Sequence, residues 1–214
     1  HMSRNPCVLG DPETDPSDNM CRLPYALEEA EKVARLLGAP AGTVLRGRTA
    51  TPSAMQTAMD GCTCVHAACH AKDTSAHHLT SLYSGALCLA KGEADDGRLY
   101  AEQLKDVRMG SCRLATLSAC STFCGKSFRE GLLGLPFALL GAGVPAVVST
   151  LWPISDALTP CIVSDFYEGL LEACKAGSFV EEDVIAHSLQ KAMCWAIERG
   201  VDVTLWAPFL LFGL

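Results

Sequence analysis

The chain has no run of basic residues, and its 17 Lys and Arg are outnumbered by 24 Asp and Glu, for a formal charge of -7. That balance excludes a polyanion-binding surface of the usual kind, so no nucleic-acid partner is expected, while cationic peptides stay compatible as ligands. No stretch approaches the ~20 consecutive apolar residues of a membrane-spanning helix, and the N-terminus lacks the basic-then-apolar order of a secretory leader. The expectation is a soluble, cytoplasmic chain with no membrane partner. Internal repeats, low-complexity tracts and obvious linkers are also missing. With 214 residues, 49% of them hydrophobic, the chain is expected to form one domain around a substantial core. His1 and Met2 read as a vector remnant, which leaves residues 3–214 as the domain, taken from a longer protein.

Cysteine is plentiful, at twelve, but the spacing of a loop-rich disulfide framework is absent. Cys88, Cys161, Cys174 and Cys194 fall inside apolar strand and helix patterns, as small buried hydrophobes do in a reducing compartment. The cysteines at element ends are the ones that need another explanation.

What is present is an alternation of short apolar runs with helical periodicity. "CVLG" (7–10) reads as a strand closed by the turn-rich "DPETDPSDN". Leu27, Ala30, Val33 or Ala34, and Leu37 then recur at helical spacing, with Gly38 where a helix ends. "TVLRG" is a second strand. Thr51 and Pro52 supply the N-cap and first turn of a short helix carrying Met55, Ala58 and Met59. "CTCVHAAC" is a third strand, apolar throughout as expected when both faces are covered. "SGALCLAKGEADDGRLY" reads as a hairpin around a turn cluster, and a brief helix near 100–106 leads to a fourth main strand, "CRLATLSA". The helix "GLLGLPFALLGAG", the strand "VPAVVST", a helix capped by Thr159 with Pro160, a helix opened by the Ser178–Glu181 capping box, and the closing strand "APFLLFGL" complete the pattern. This predicts an α/β fold with a mostly parallel central sheet and helices on both faces.

In such sheets ligands lie outside the carboxyl ends of the strands. Two strands stop on reactive side chains there, His70 in "CVHAACH" and Cys120 in "LATLSAC". A thiol near its ordinary pKa of about 8.5 is mostly protonated at neutral pH, so a nucleophilic cysteine needs a base such as an imidazole beside it. His70 is the candidate base and later the acid toward a leaving amine.

A competing constellation is Cys62, Cys64, His66, Cys69 and His70, where alternate strand positions could converge on zinc. The paired spacing of a structural zinc site is missing, so a buried strand explains the cluster and no metal or other cofactor is expected. His66 lies four residues, about 13 Å, behind His70 on the same face and reads as a satisfied core residue. Cys124 reads as a plain loop cysteine, and His77 and His78 as solvated loop residues.

The ordered series "VLGDPETD", "LPYALEEAEKVARLLGA", "CVHAACHA", "SGALCLA", "DGRLYAEQL", "LATLSACST", "EGLLGLPFALLGAGVPAVVSTLWPISD" and "WAPFLLFGL" resembles the CHAT family, caspase-like peptidase domains related to caspases, separases and gingipains and often attached to tetratricopeptide repeats. The resemblance covers nearly the whole chain. It implies a caspase-like three-layer sandwich acting as a cysteine endopeptidase on protein or peptide substrates, a signalling protease with a thioester acyl-enzyme. Matched by position, the family dyad falls on His70 as general base and Cys120 as nucleophile, with the backbone N–H groups of Ala71 and Cys120 forming the oxyanion hole.

Two departures stand out. Ala71 replaces the family's usual Gly, which matters only if the backbone there needs positive φ, and Ser121 replaces the commoner acid after the nucleophile. The resemblance also sets a substrate pocket beside "STLWP", with Trp152 and Asp156 as its candidate lining. An acid there favours Arg or Lys before the cut. Separases carry the corresponding acid a few positions later, where this chain has Thr159 and Pro160. The alternative is a catalytically silent caspase-like interaction or scaffold module. Natural substrate, activating signal and oligomeric state have no signature in the sequence.

Overall fold

The structure is a computed structural model. It describes residues 5–72, 74, 85–121, 131–175 and 181–213, with the backbone alone described at 120–121, 131–133 and 181–182. His1, Met2, His77, His78, Cys124 and the Ser178 half of the expected capping box lie outside the described residues.

In chain order the elements are β1 (Pro6–Pro12), α1 (Pro24–Leu36), β2 (Leu45–Gly47), α2 (Pro52–Met59), β3 (Cys64–Lys72), β4 (Ala86–Cys88), β5 (Arg98–Tyr100) and α3 (Ala101–Leu104). They continue with β6 (Leu114–Ser121), α4 (Gly131–Gly141), β7 (Ala146–Thr150), α5 (Thr159–Lys175), α6 (Glu181–Glu198), α7 (Val203–Trp206) and β8 (Phe209–Gly213). The central sheet runs β2-β1-β3-β6-β7-β8; its first five strands are parallel and β8 is antiparallel. The expected hairpin is β4 with β5, antiparallel, and β4 pairs with the last residues of β3. The mostly parallel sheet read from the sequence is therefore present.

Strand parity sorts the side chains into two layers. Cys7, Leu9, Val65, Ala67, Ala115 and Leu117 join α2, α3 and α4 in one apolar cluster. Val8, Cys64, Leu114 and Val148 join α1, α5 and α6 in the other. Each fully buried Val, Leu or Phe in these layers contributes about 1.5–3 kcal/mol, which stabilises the sandwich from both sides.

The residues of the competing zinc constellation do not all converge: Cys62, ahead of β3, and Cys69 lie in the first cluster and Cys64 in the second. Burial pushes the Cys7 thiol up to about 12 and that of Cys88 to about 11, as expected of cysteines that serve as packing, whereas Cys161 and Cys194, also expected to be buried, are exposed and Cys174 is half-buried.

Thr51 caps α2 as expected, its hydroxyl accepting from the Ala54 N–H at 3.2 Å. Thr159 does not cap α5. A turn over 156–158 already leads into the helix, the Thr159 N–H reaches the Ser155 carbonyl at 3.1 Å, and its hydroxyl donates to the same oxygen at 2.7 Å.

Gly10 is where β1 and α1 touch most closely. A Cβ there would lie 2.5 Å from Ala30 Cβ and 2.7 Å from the Ala26 carbonyl, so only glycine lets the helix rest on the strand. Beyond Gly10 the ladder to β3 ends; Asp11 takes φ 45° at a β-bulge, and Pro12 stays paired only with Gly47 of β2 before the chain leaves the sheet. β4 fills the vacated place beside β3 at residues 70–72. Residues 13–23 form a strap that crosses to the start of α1.

Candidate active site

β3 and β6 are adjacent and parallel, with register partners from Cys64↔Leu114 to Ala71↔Ser121. The frame pairs His70 with Cys120. His70 has the parity of Cys64, the side of the sheet covered by α1 and α5. The sequence reason is that two apolar strands of similar length end on chemistry-bearing residues fifty positions apart.

His70 is buried, 3% exposed. Its Nε2 lies 2.8 Å from the backbone carbonyl of Cys21 in the strap. A carbonyl can only accept, so Nε2 carries a proton and donates it. In the neutral ring the lone pair is therefore on Nδ1, a buried atom with no hydrogen-bond partner among the described residues. One nitrogen is held by the strap; the other is free to exchange a proton.

The strap is tied down on both sides. Asp18 accepts from Lys72 Nζ at 2.8 Å and from Arg98, Asp15 lies 3.9 Å from Lys91, and Glu13 accepts from Arg48 at 2.9 Å. These contacts set the height of the Cys21 carbonyl over the imidazole. None has a periodic signature in the sequence.

Asp11 closes β1 beside His70. Its carboxylate accepts from Arg22 Nε, at 3.1 Å to Oδ1 and 3.0 Å to Oδ2, and from the Leu23 N–H at 2.8 Å. Burial alone would push the Asp11 carboxyl up; the Arg22 hydrogen bond, the Leu23 N–H and the charges of Arg22 and His70 outweigh it and hold it below the usual carboxylate range. The sequence reading missed Asp11, although it is a strand-end acid in the same sense that His70 and Cys120 are strand-end residues.

Asp156 accepts from the Tyr25 N–H at 3.3 Å, so with Asp11 it caps α1, whose N-cap Leu23 makes no side-chain cap hydrogen bond. Its carboxyl is pushed up, first by desolvation and further by the charge of Asp11, with the N–H groups of Tyr25 and Ala26 and the charge of His70 opposing. Asp156 is thus a helix-start acid, but of α1 rather than of the helix that follows it. It shares the electrostatic neighbourhood of His70 and Asp11.

Trp152 is half-buried and its indole N–H donates to the Thr204 carbonyl at 2.9 Å, anchoring it to α7. Ala71 pairs with Leu87 on β4 and Ser121 on β6. Its backbone is not in the positive-φ region, where the described non-glycine residues are Asp11 and Asn19 alone, so alanine costs no strain at the position where the family has glycine.

One storey behind His70 and Cys120 on the same two strands, His66 pairs in register with Thr116. His66 Nε2 lies 3.1 Å from Glu29 of α1, Nδ1 lies 3.4 Å from the Tyr167 hydroxyl of α5, and that hydroxyl donates to Thr116 at 2.9 Å. Core burial raises the Tyr167 phenol well above its ordinary value, keeping it a neutral donor. His66 is a buried core residue as expected, but among the described residues only its Nδ1 has a hydrogen-bond partner: Nε2 and Glu29 Oε1 are in ion-pair contact without hydrogen-bond geometry, and these contacts join α1 and α5 to the two strands that end at the site.

Residues 2–214 match the family described as CHAT domain. The chain belongs to the CHAT domain family. Relatives of this CHAT domain include tetratricopeptide repeat protein 28 of Mus musculus, 30% identical over 246 aligned residues and 96% of the chain. The Homo sapiens protein of the same name is 28% identical over 263 aligned residues and 100% of the chain. The chain spans 10% of the length of each of these relatives. Two similar solved structures are of gingipains. One, of the Arg-specific cysteine proteinase gingipain R, has a TM-score of 0.53 at 17% identity and covers 97% of this chain and 45% of that one. The other, the complex of Porphyromonas gingivalis RgpB pro- and mature domains, has a TM-score of 0.54 at 12% identity and covers 99% and 47%. At these identities the likeness is one of fold: the CHAT domain is a caspase-like α/β sandwich.

Proposed function

We propose that residues 3–214 form one peptidase domain, a cysteine endopeptidase with Cys120 as nucleophile and His70 as general base. The observation that carries this reading is the oriented imidazole: Nε2–H is committed to the Cys21 carbonyl, Nδ1 has no partner among the described residues, and the register neighbour is Cys120. Membership of the CHAT family supports it, and the motif resemblance, matched by position, is what assigns the dyad to these two residues.

In this reading the Cys120 thiol gives its proton to His70 Nδ1 as its sulfur attacks the scissile carbonyl. The tetrahedral oxyanion receives the backbone N–H groups of Ala71 and Cys120. Collapse breaks the C–N bond, Nδ1–H protonates the leaving amine, and a thioester remains. Water, deprotonated by Nδ1, then hydrolyses the thioester and restores the thiol. The Cys21 carbonyl stabilises the imidazolium formed in between, because its bond to Nε2–H strengthens when the ring is charged.

Substrates are protein or peptide chains. Asp156, with Trp152 beside it in sequence, is the acid proposed to favour Arg or Lys before the cut; the fold relative gingipain R is itself described as Arg-specific. The parent protein is proposed to carry tetratricopeptide repeats, as the names of the relatives suggest, and to work in the cytoplasm. Among the described residues no helix is long and apolar enough to cross a membrane.

The test is to incubate the domain and its Cys120→Ala variant with a diverse peptide library and to identify new termini by mass spectrometry. Cleavage by the parent alone is expected, enriched for cuts after Arg or Lys. Equal cleavage by both, or none by either together with undiminished partner capture by the variant, would favour the silent interaction module.

A further inference from the structure

Arg22 and Asp11 form their ion pair inside the candidate site. The Asp11 side chain is 4% exposed whereas that of Arg22 is 61% exposed, so a solvated arginine reaches inward to a desolvated carboxylate. Nε is within 3.1 Å of both carboxylate oxygens and the terminal nitrogen also binds Oδ2, a forked arrangement. This is how a foreign guanidinium would be held. One short segment brings His70, Asp11 and Asp156 together, Cys21 through its carbonyl to His70, Leu23 through its N–H to Asp11 and Tyr25 through its N–H to Asp156, so two carboxylates stand near the imidazole, Asp11 paired with a cation and Asp156 held, among the described residues, by backbone N–H groups alone.

We propose that Arg22 is a built-in counter-ion that sets the charge this site accepts: it occupies Asp11 as a ligand guanidinium would, and leaves Asp156 as the carboxylate open to a cationic side chain. The catalytic consequence rests on the peptidase reading; the cation binding does not. A second cation entering the parent meets one open carboxylate and the repulsion of Arg22. With Arg22 removed, the buried Asp11 keeps the Leu23 N–H as its described hydrogen bond and recruits an outside cation, because an uncompensated desolvated carboxylate is costly. Lysine at position 22 keeps the charge but loses the fork, so it guards the site less well.

The experiment measures binding of N-acetyl-arginine amide, with N-acetyl-citrulline amide as the neutral isostere, to Cys120→Ala and to the same chain carrying Arg22→Met, by calorimetry at neutral pH. Arg22→Met keeps most of the apolar stem. We expect the arginine probe to bind at least tenfold more tightly to Arg22→Met, the citrulline probe to be unchanged, and addition of Asp11→Asn to remove the gain. Thermal melts check folding. If Arg22→Met does not fold, Arg22→Lys carries the test, with a gain of about threefold expected. No gain in whichever variant folds, or a gain that survives Asp11→Asn, overturns the inference. In the Cys120-containing chain the same substitution should raise the ratio of kcat/KM for Arg over Gln before the cut. Unchanged binding with continued cleavage would sink the inference and spare the peptidase reading; a binding gain without cleavage would do the reverse.

Discussion

Replacing Glu29 with alanine should be the most damaging single change in the second layer of the site. Glu29 is 1% exposed and His66 is 0% exposed; Oε1 and Nε2 lie 3.1 Å apart as an ion-pair contact, and neither atom has a hydrogen-bond partner among the described residues. Removing the carboxyl strands a buried imidazole nitrogen and opens a small cavity between α1 and β3. Breaking a buried pair from one side costs about 3–5 kcal/mol, against a total of about 5–15 kcal/mol for a domain. At about 1.4 kcal/mol per decade, the folding constant should fall by two to three and a half orders of magnitude. Glu29→Gln keeps the shape and an acceptor oxygen, and should cost about 1–2 kcal/mol. Equilibrium urea unfolding followed by circular dichroism at neutral pH reads both, with the midpoint moving and the slope unchanged. A Glu29→Ala midpoint within about 0.5 kcal/mol of the parent, a typical surface effect, would refute the reasoning. So would equal losses for the two variants.

Asp11 predicts an acid limb. Its carboxyl is held below the ordinary range, so the stability it contributes is complete above the unfolded value of about 3.9 and is lost as pH falls through the lower folded value. The melting temperature of the parent should therefore exceed that of Asp11→Asn above about pH 5 and converge with it toward about pH 2; a gap independent of pH contradicts this. Gly10→Ala forces a Cβ to 2.5 Å from Ala30 Cβ and should cost about 1–3 kcal/mol, read by the same urea titration. A cost below about 0.5 kcal/mol, a typical surface effect, would contradict the close strand–helix contact.

The alternation of strands and helices was legible because each strand is a short apolar run and each helix carries its own periodicity and punctuation, as at Thr51-Pro52 and at Gly200 beyond α6. His70 and Cys120 were legible as strand ends, since a common register follows from parallel pairing of strands that start and stop together. Glu29 was not, because a charged residue on an otherwise amphipathic helix reads as solvated until its partner on β3 is known. The Cys21 carbonyl was invisible for a stronger reason: every residue has a carbonyl, so a backbone acceptor on an imidazole leaves no trace in residue type. The Asp11–Arg22 pair spans a turn-rich segment without periodicity, and spacing alone cannot join its ends. Cys62, Cys64 and Cys69 show why closeness in sequence is a poor guide to a metal site: Cys62 and Cys69 pack in one layer of the core and Cys64 in the other.

The account stands or falls on whether Cys120 is a nucleophile activated by His70. The direct measurement is intact-protein mass after brief exposure to a peptidyl acyloxymethyl ketone ending in arginine, for the parent, Cys120→Ala and His70→Ala. The account predicts one adduct per chain on the parent, mapped to Cys120, none on Cys120→Ala, and labelling of His70→Ala slowed by at least a hundredfold, as loss of a general base implies. Labelling spread over the exposed thiols Cys21, Cys161 and Cys194, at a rate indifferent to His70, would contradict it.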